Sequence, residues 1–257
     1  MSVPLCLTVA GSDSGGGAGI QADLRAFAAA GCFGVSAIVA LTAQNTVGVT
    51  AVHEAPPDFV RAQLEAVFAD IGVDAAKTGM LFSAPVVETV ADFFAVHPVP
   101  LVVDPVMVAS SGARLLREDA VETLVGRLFP LATVITPNLL EAEALVGPGP
   151  QAELARRLYE LGPKAVIVTG GHGEEPVDTL FDGERLVQIS VPRHEVAATH
   201  GAGCTHSATL AALLAQGFEL EAAARRAAEV ASDAVLHGLA GIGAGDGPVD
   251  VLGLEER

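Results

Sequence analysis

Residues Thr199-His200-Gly201-Ala202-Gly203-Cys204-Thr205 place two glycines, an alanine and a cysteine at the mouth of an apolar, Ala-rich run. A turn that opens into a helix directs several free backbone N–H groups at one point. The helix dipole adds to them, so the point favours an anion. Cys204 brings a titratable group within one turn of it. An anion cradle beside such a group suits phosphoryl transfer, where a protein mainly positions reactants and stabilises charge. The thiol alone leaves three readings open. It is a small buried hydrophobe, the commonest fate of a free cysteine, a general base, or a nucleophile paired with His172, His200 or His206. No spacing secures such a pair. His206 is expected on the exposed first turn of the helix, and His200 is expected only to close the turn.

Other polar groups stand directly after apolar, strand-like runs. These are Gly11-Ser12-Asp13, Thr42-Ala43-Gln44-Asn45, Thr78-Gly79-Met80, Asp104-Pro105-Val106, Thr136-Pro137-Asn138 and Thr169-Gly170-Gly171-His172. A parallel sheet brings all strand C-termini to one edge, where ligands bind. One polar strand-to-helix loop means little, but six in succession favour a binding groove. Gln44 offers a donor and an acceptor to a heterocycle edge, or is a satisfied loop amide. Met80 packs on a flat ring or in the core. Asp104 follows a strand expected to be buried on both faces, where a carboxylate needs a partner or a metal. Asn138 and Glu141, at i and i+3, face the same way on a first helical turn. Capping accounts for them, and so does a Mg²⁺ site shared with Asp104. Residues 12–19 form a Gly-rich loop, either a mobile loop or a close-approach cover. It lacks the Gly-Lys-Ser/Thr of a P-loop, and Ile20 stands where a dinucleotide fingerprint needs glycine. Asp23 reads as a solvated helix charge.

The elements that position these residues alternate along the chain. Strands are expected over 5–10, 35–41, 46–53, 73–77, 101–103, 133–135 and 165–168, with a hairpin over 178–189 turning at Asp182-Gly183. Helices are expected over 18–30, 57–70, 84–96, 118–128, 139–145, 151–161, 205–216 and 219–238. That order predicts an α/β fold with one parallel sheet covered on both faces.

Bulk properties narrow the function. The 257 residues are 51% hydrophobic with one Tyr and no Trp, so the core is aliphatic and an aromatic cage for the ligand is disfavoured. A formal net charge of −17 argues against nucleic acid or an anionic membrane as partner, since both need a basic face. A polyphosphate would have to be held by backbone N–H groups and a divalent metal rather than by a Lys/Arg cluster. Cys6, Cys32 and Cys204 show no paired spacing, which points to reduced thiols and a cytoplasmic protein. The apolar stretch 3–10 is too short for a signal peptide, and no run reaches membrane-span length.

The motifs taken in order run from 9–23 through 41–46, 77–81, 104–107, 136–141 and 169–172 to 200–205. Together they resemble the hydroxymethylpyrimidine/phosphomethylpyrimidine kinases of thiamine biosynthesis, in the ribokinase-like superfamily. The resemblance implies a three-layer α/β/α fold with a mostly parallel central sheet, one domain over 1–257 and a homodimer. It implies two ATP-dependent phosphorylations, of 4-amino-5-hydroxymethyl-2-methylpyrimidine and then of its monophosphate. By position, Gly11, Asp23, Gln44, Met80 and Val106 resemble the pyrimidine pocket. Asp104 and Glu141 resemble the Mg²⁺ residues, and Asn138, Thr169, Gly170 and Gly171 approach ATP. Gly201, Ala202 and Gly203 resemble the anion hole, and Cys204 takes the place of the catalytic base. The chain departs from the pattern at Ala202, which lacks a common Thr hydroxyl, and at Ser110-Ser111 and Ala197-Ala198, where relatives often carry Lys. The competing readings are a pyridoxal kinase and a non-catalytic pyrimidine- or nucleotide-binding protein.

Overall fold

The runs Leu101–Val103, Val134–Ile135 and Val166–Val168 are apolar on both faces, and every residue in them is buried. Strands of that kind must be covered on both sides. In the computed structural model, which describes residues 3–108, 112, 115–170, 177–192, 194, 196 and 198–254, they lie at the centre of a nine-stranded sheet. The strands are β1 (Leu5–Asp13), β2 (Phe33–Asn45), β3 (Gly48–Glu54), β4 (Ala75–Thr78), β5 (Leu101–Val103), β6 (Val134–Ile135), β7 (Val166–Val168), β8 (Val177–Phe181) and β9 (Leu186–Ser190), in the order 3-2-1-4-5-6-7-8-9. β1, β2 and β4 to β7 are mutually parallel. β3 and β8 run antiparallel to their neighbours, so the sheet is mixed rather than purely parallel.

Two helical layers cover it. The helices are α1 (Gly19–Ala29), α2 (Pro57–Asp70), α3 (Ala84–Val96), α4 (Glu118–Thr123), α5 (Leu139–Val146), α6 (Gln151–Tyr159), α7 (Ala202–Ala215) and α8 (Leu220–Leu236). Phe27 of α1 and the alanines of α7 and α8 pack with Val102, Val134 and Ile167 on one face. Helices α2 to α6 pack with Leu101, Val103, Ile135, Val166 and Val168 on the other. The alternation along each strand thus sorts the core into two halves. α7 is buried from Thr205 to Leu213 without interruption, the polar Thr205, His206, Ser207 and Thr209 included, and this fixes its N-terminus against the sheet. No helix among the described residues is long and apolar enough to cross a membrane.

Several boundaries differ from expectation. β1 and β2 run on to Asp13 and Asn45, and pair as Gly11↔Ala40, Ser12↔Leu41 and Asp13↔Thr42 after a register shift at Ala10/Gly11. Polar residues that read as loop are strand here, because backbone pairing satisfies them. α4 gives way to a π-turn over Leu124–Leu128 and a 3-10 turn over Phe129–Leu131. Pro130 has no N–H to bond the carbonyl of Gly126, so an α-helix cannot pass through it. α6 stops at Tyr159. α7 starts at Ala202, three residues early, so Cys204 sits inside its first turn.

Candidate active site

A cavity of about 580 Å³ runs along the C-terminal edge of the parallel strands, within the usual size for a small-molecule site. Gly11, Gln44, Met80, Asp104, Val106, Asn138, Glu141, Thr169 and the turn Gly201 to Cys204 line it. Sequence separations of nearly 200 residues collapse into this one space.

The turn is built on Gly201, which caps α7 with φ +89°. A side chain there would meet Gly17 O at 1.9 Å. The Gly-rich loop and the helix start are therefore in backbone contact. The Ala202 N–H bonds Thr199 O, and the Thr205 N–H closes the first helical bond to Gly201 O. The donors left to the first turn are those of Gly203 and Cys204, fewer than the motif suggests. Gly201→Ala is expected to push the two segments apart, at about 1–2 kcal/mol for the left-handed backbone alone. We expect a lower Tm and a kcat/KM for ATP down by at least about tenfold, read by thermal unfolding and steady-state kinetics.

Cys204 is partly buried. Burial pushes its thiol up to about 12. Lys77 and the Gly19 N–H act against this, but Asp23 and Asp104 add to it. Burial and the two carboxylates thus outweigh the groups that lower the thiol. Beneath the thiol, Lys77 Nζ lies 2.7 Å from Asp23 Oδ1 and 3.8 Å from Asp104 Oδ2, with both Lys77 and Asp23 fully buried. Burial alone would lower Lys77, but the charges of Asp23, Cys204 and Asp104 outweigh it and raise the ammonium. Thr8 Oγ1 donates to Asp23 Oδ2 at 2.6 Å, and Ser207 Oγ donates to Asp104 Oδ2 at 2.8 Å. Asp23 is thus neither solvated nor on the cavity wall; it holds Lys77 from below. Lys77 was the residue missed. It is one of only two lysines in the chain and ends an apolar strand, which was the available signal.

Asn138 caps α5, and Glu141 returns the bond to the Asn138 N–H, completing a capping box. Glu141 Oε1 also accepts the Met107 N–H at 3.3 Å. Burial and the charge of Asp104 push Glu141 up to about 8, against those two N–H groups. Two crowded carboxylates at one edge are a hard-oxygen pair whose repulsion a divalent cation would relieve. Among the described residues, no group of three or more His, Cys, Asp or Glu could by itself hold a metal ion.

At the opposite end, Gly11 leaves room for the movable end of Met80, whose Cε would lie 2.3 Å from a Cβ at that position. Met80 thereby presses on the cavity floor. Thr42 Oγ1 donates to Gln44 Oε1 at 3.1 Å, which steadies the amide. His200 does more than close its turn: Nε2 lies 3.0 Å from Asp13 Oδ2. Burial works against ionised Asp13, but His200 and the N–H groups of Ala18 and Gly15 hold it below the usual carboxylate range. At the remaining wall, the Thr169 N–H bonds Pro137 O, and Ala228, Ala231 and Val235 supply apolar surface. Gly170 is off the wall, its N–H given to Asp178 Oδ1 at 2.9 Å. His206 is buried and not exposed as expected, with Asp178 Oδ2 3.5 Å from Nε2. Gly171, His172, Ser110, Ser111 and Ala197 lie outside the described residues.

A mixed sheet between two helical layers, with an anion turn and an acidic pair along its edge, defines a ribokinase-like small-molecule kinase. Residues 13–250 match the family model for phosphomethylpyrimidine kinase. The hydroxymethylpyrimidine/phosphomethylpyrimidine kinase of Rhizobium meliloti is 47% identical over 259 residues, covering 95% of this chain and 96% of that one. The structure of an ADP complex of Bacillus subtilis pyridoxal kinase superposes with a TM-score of 0.90 at 36% identity over the whole of both chains. That of phosphomethylpyrimidine kinase from Clostridium difficile gives 0.78 at 39%, covering 88% of this chain and 96% of the other. The chain belongs to the hydroxymethylpyrimidine/phosphomethylpyrimidine kinase family, and it is an ATP-dependent kinase of thiamine biosynthesis.

Proposed function

We propose that this chain phosphorylates 4-amino-5-hydroxymethyl-2-methylpyrimidine and then its monophosphate, with Gln44, Met80, Gly11 and Val106 around the ring and Cys204 beside the hydroxymethyl oxygen. One observation carries the reading. A single cavity holds Cys204 and the anion turn between the Gln44–Met80 end and the Asn138–Thr169 end. A heterocyclic alcohol and a nucleotide can therefore meet head to head at the thiol. Gln44 offers its amide to the aminopyrimidine edge. The Gly203 and Cys204 N–H groups face the transferring phosphoryl, and the thiolate form of Cys204 takes the alcohol proton as the new P–O bond forms and the bond from the γ-phosphorus to ADP breaks, releasing ADP. Lys77 keeps a positive charge under the sulfur. Asp104 and Glu141 would hold Mg²⁺, which when bound neutralises phosphate charge. Unpaired Cys6, Cys32 and Cys204 agree with a cytoplasmic setting. Exposed Leu41 and Val47 on the β2–β3 hairpin fit a homodimer, which light scattering would measure.

The test is ADP release with the pyrimidine alcohol, with mass spectrometry of the product. Diphosphate after exhaustive reaction is expected. Monophosphate alone refutes the second step, and faster turnover of pyridoxal transfers the assignment to that alcohol. No ADP release with either alcohol leaves a binding protein.

A further inference from the structure

Among the described residues that line the cavity, four side chains can carry positive charge: Lys77, His194, His200 and His206. Three are engaged. Lys77 is on Asp23 at 2.7 Å, His200 on Asp13 at 3.0 Å, and His194 Nε2 is 2.9 Å from Ser232 Oγ. His206 is 5% exposed, and neither ring nitrogen has a hydrogen-bond partner. A buried imidazole left this way is costly and calls for a reason. Its nearest charged neighbour is Asp178 Oδ2, 3.5 Å from Nε2. Asp178 is itself fixed, because Oδ1 accepts the Gly170 N–H. The carboxylate thus backs one nitrogen of the ring, and Nδ1 remains for a ligand.

The ligand class follows from charge and place. Asp13, Asp104, Glu141, Asp178 and Asp246 also line the cavity, so a polyphosphate there needs every donor available. His206 lies two residues beyond Cys204 on α7, at the end of the helix where anions are favoured. We propose that His206 is a ligand of a nucleotide phosphate, donating from Nδ1 to a phosphate oxygen while Asp178 steadies the ring from behind. The assignment rests on the kinase reading above and adds to it a donor that the local motif does not reveal.

Calorimetric titration with ADP, adenosine and the pyrimidine alcohol, at one free Mg²⁺ concentration, tests it. A charge-assisted hydrogen bond sets the expected scale: His206→Leu weakens ADP by about ten- to a hundredfold, with adenosine and the pyrimidine alcohol changed by less than about twofold. His206→Asn, which keeps a donor near the Nδ1 position, recovers most of the loss. Equal weakening of ADP and adenosine would make His206 a sugar or base contact and overturn the proposal, as would unchanged ADP affinity. If His206→Leu also loses the pyrimidine alcohol, the cavity has collapsed. His206→Asn then decides, with retained ADP binding supporting the proposal and lost ADP binding rejecting it. A wild-type protein that takes up no ADP overturns the nucleotide reading itself.

Discussion

Replacing Cys204 with alanine is expected to lower kcat by about 10²–10⁴, the usual weight of a general base, with ADP affinity nearly unchanged. The same group sets a pH dependence. The thiol sits at about 12 because burial and the carboxylates of Asp23 and Asp104 outweigh Lys77 and the Gly19 N–H. A raised thiol is mostly protonated below that value, and only its thiolate fraction can act as a base. Below it the thiolate fraction climbs about tenfold per pH unit. Wild-type kcat is therefore expected to rise steadily with pH through the neutral and mildly alkaline range wherever chemistry limits turnover. Cys204→Asp carries a group with an ordinary value near 3.9; the same burial and carboxylates raise it, but from so low a start that its profile is expected to level off at a lower pH than that of the wild type. Parallel profiles for the two proteins, or wild-type turnover in Cys204→Ala, would end the base assignment. A loose transition state needs little deprotonation of the alcohol before the P–O bond closes, so the small thiolate fraction present near neutral pH carries the turnover.

The parts of the site readable from sequence are those written in short stretches. Gly201 to Cys204 signals a turn into a helix within four residues. The polar groups at the C-terminal ends of β1, β2, β4, β5, β6 and β7 report one edge because parallel strands share a direction. Partners are different. Asp13 and His200 are 187 positions apart and Asp23 and Lys77 are 54 apart. No local pattern encodes which carboxylate meets which cation. Asp23 read as a surface charge because α1 reads as amphipathic, and only the packed sheet shows that Lys77 lies opposite. His206 misled for the same reason: a polar residue on a first turn looks solvated until β8 brings Asp178 to it. The strand ends Gly11–Asp13 and Thr42–Asn45 looked like loops because composition does not report pairing between neighbours.

Lys77→Met should be the most damaging substitution for the fold itself. Among the described residues, only Lys77 and the Thr8 hydroxyl balance the fully buried Asp23 carboxylate. Removing one member of a buried pair costs about 3–5 kcal/mol, because the other charge stays behind without its partner. At about 2–4 °C per kcal/mol for a chain of this size, Tm should fall by roughly 10 °C. Combining Lys77→Met with Asp23→Leu should recover most of that loss, since an apolar pair of similar volume replaces a buried ion pair at little net cost. Catalysis should not recover with it. The ammonium is the cation that lowers the Cys204 thiol, so the stable double variant should remain slow at neutral pH. Calorimetric Tm and kcat on the same samples separate the two effects. A double variant that is both stable and fast would show that Lys77 serves only to neutralise Asp23. A stable but slow one would place the Asp23–Lys77 pair in the working site, although only Lys77 reaches the cavity wall.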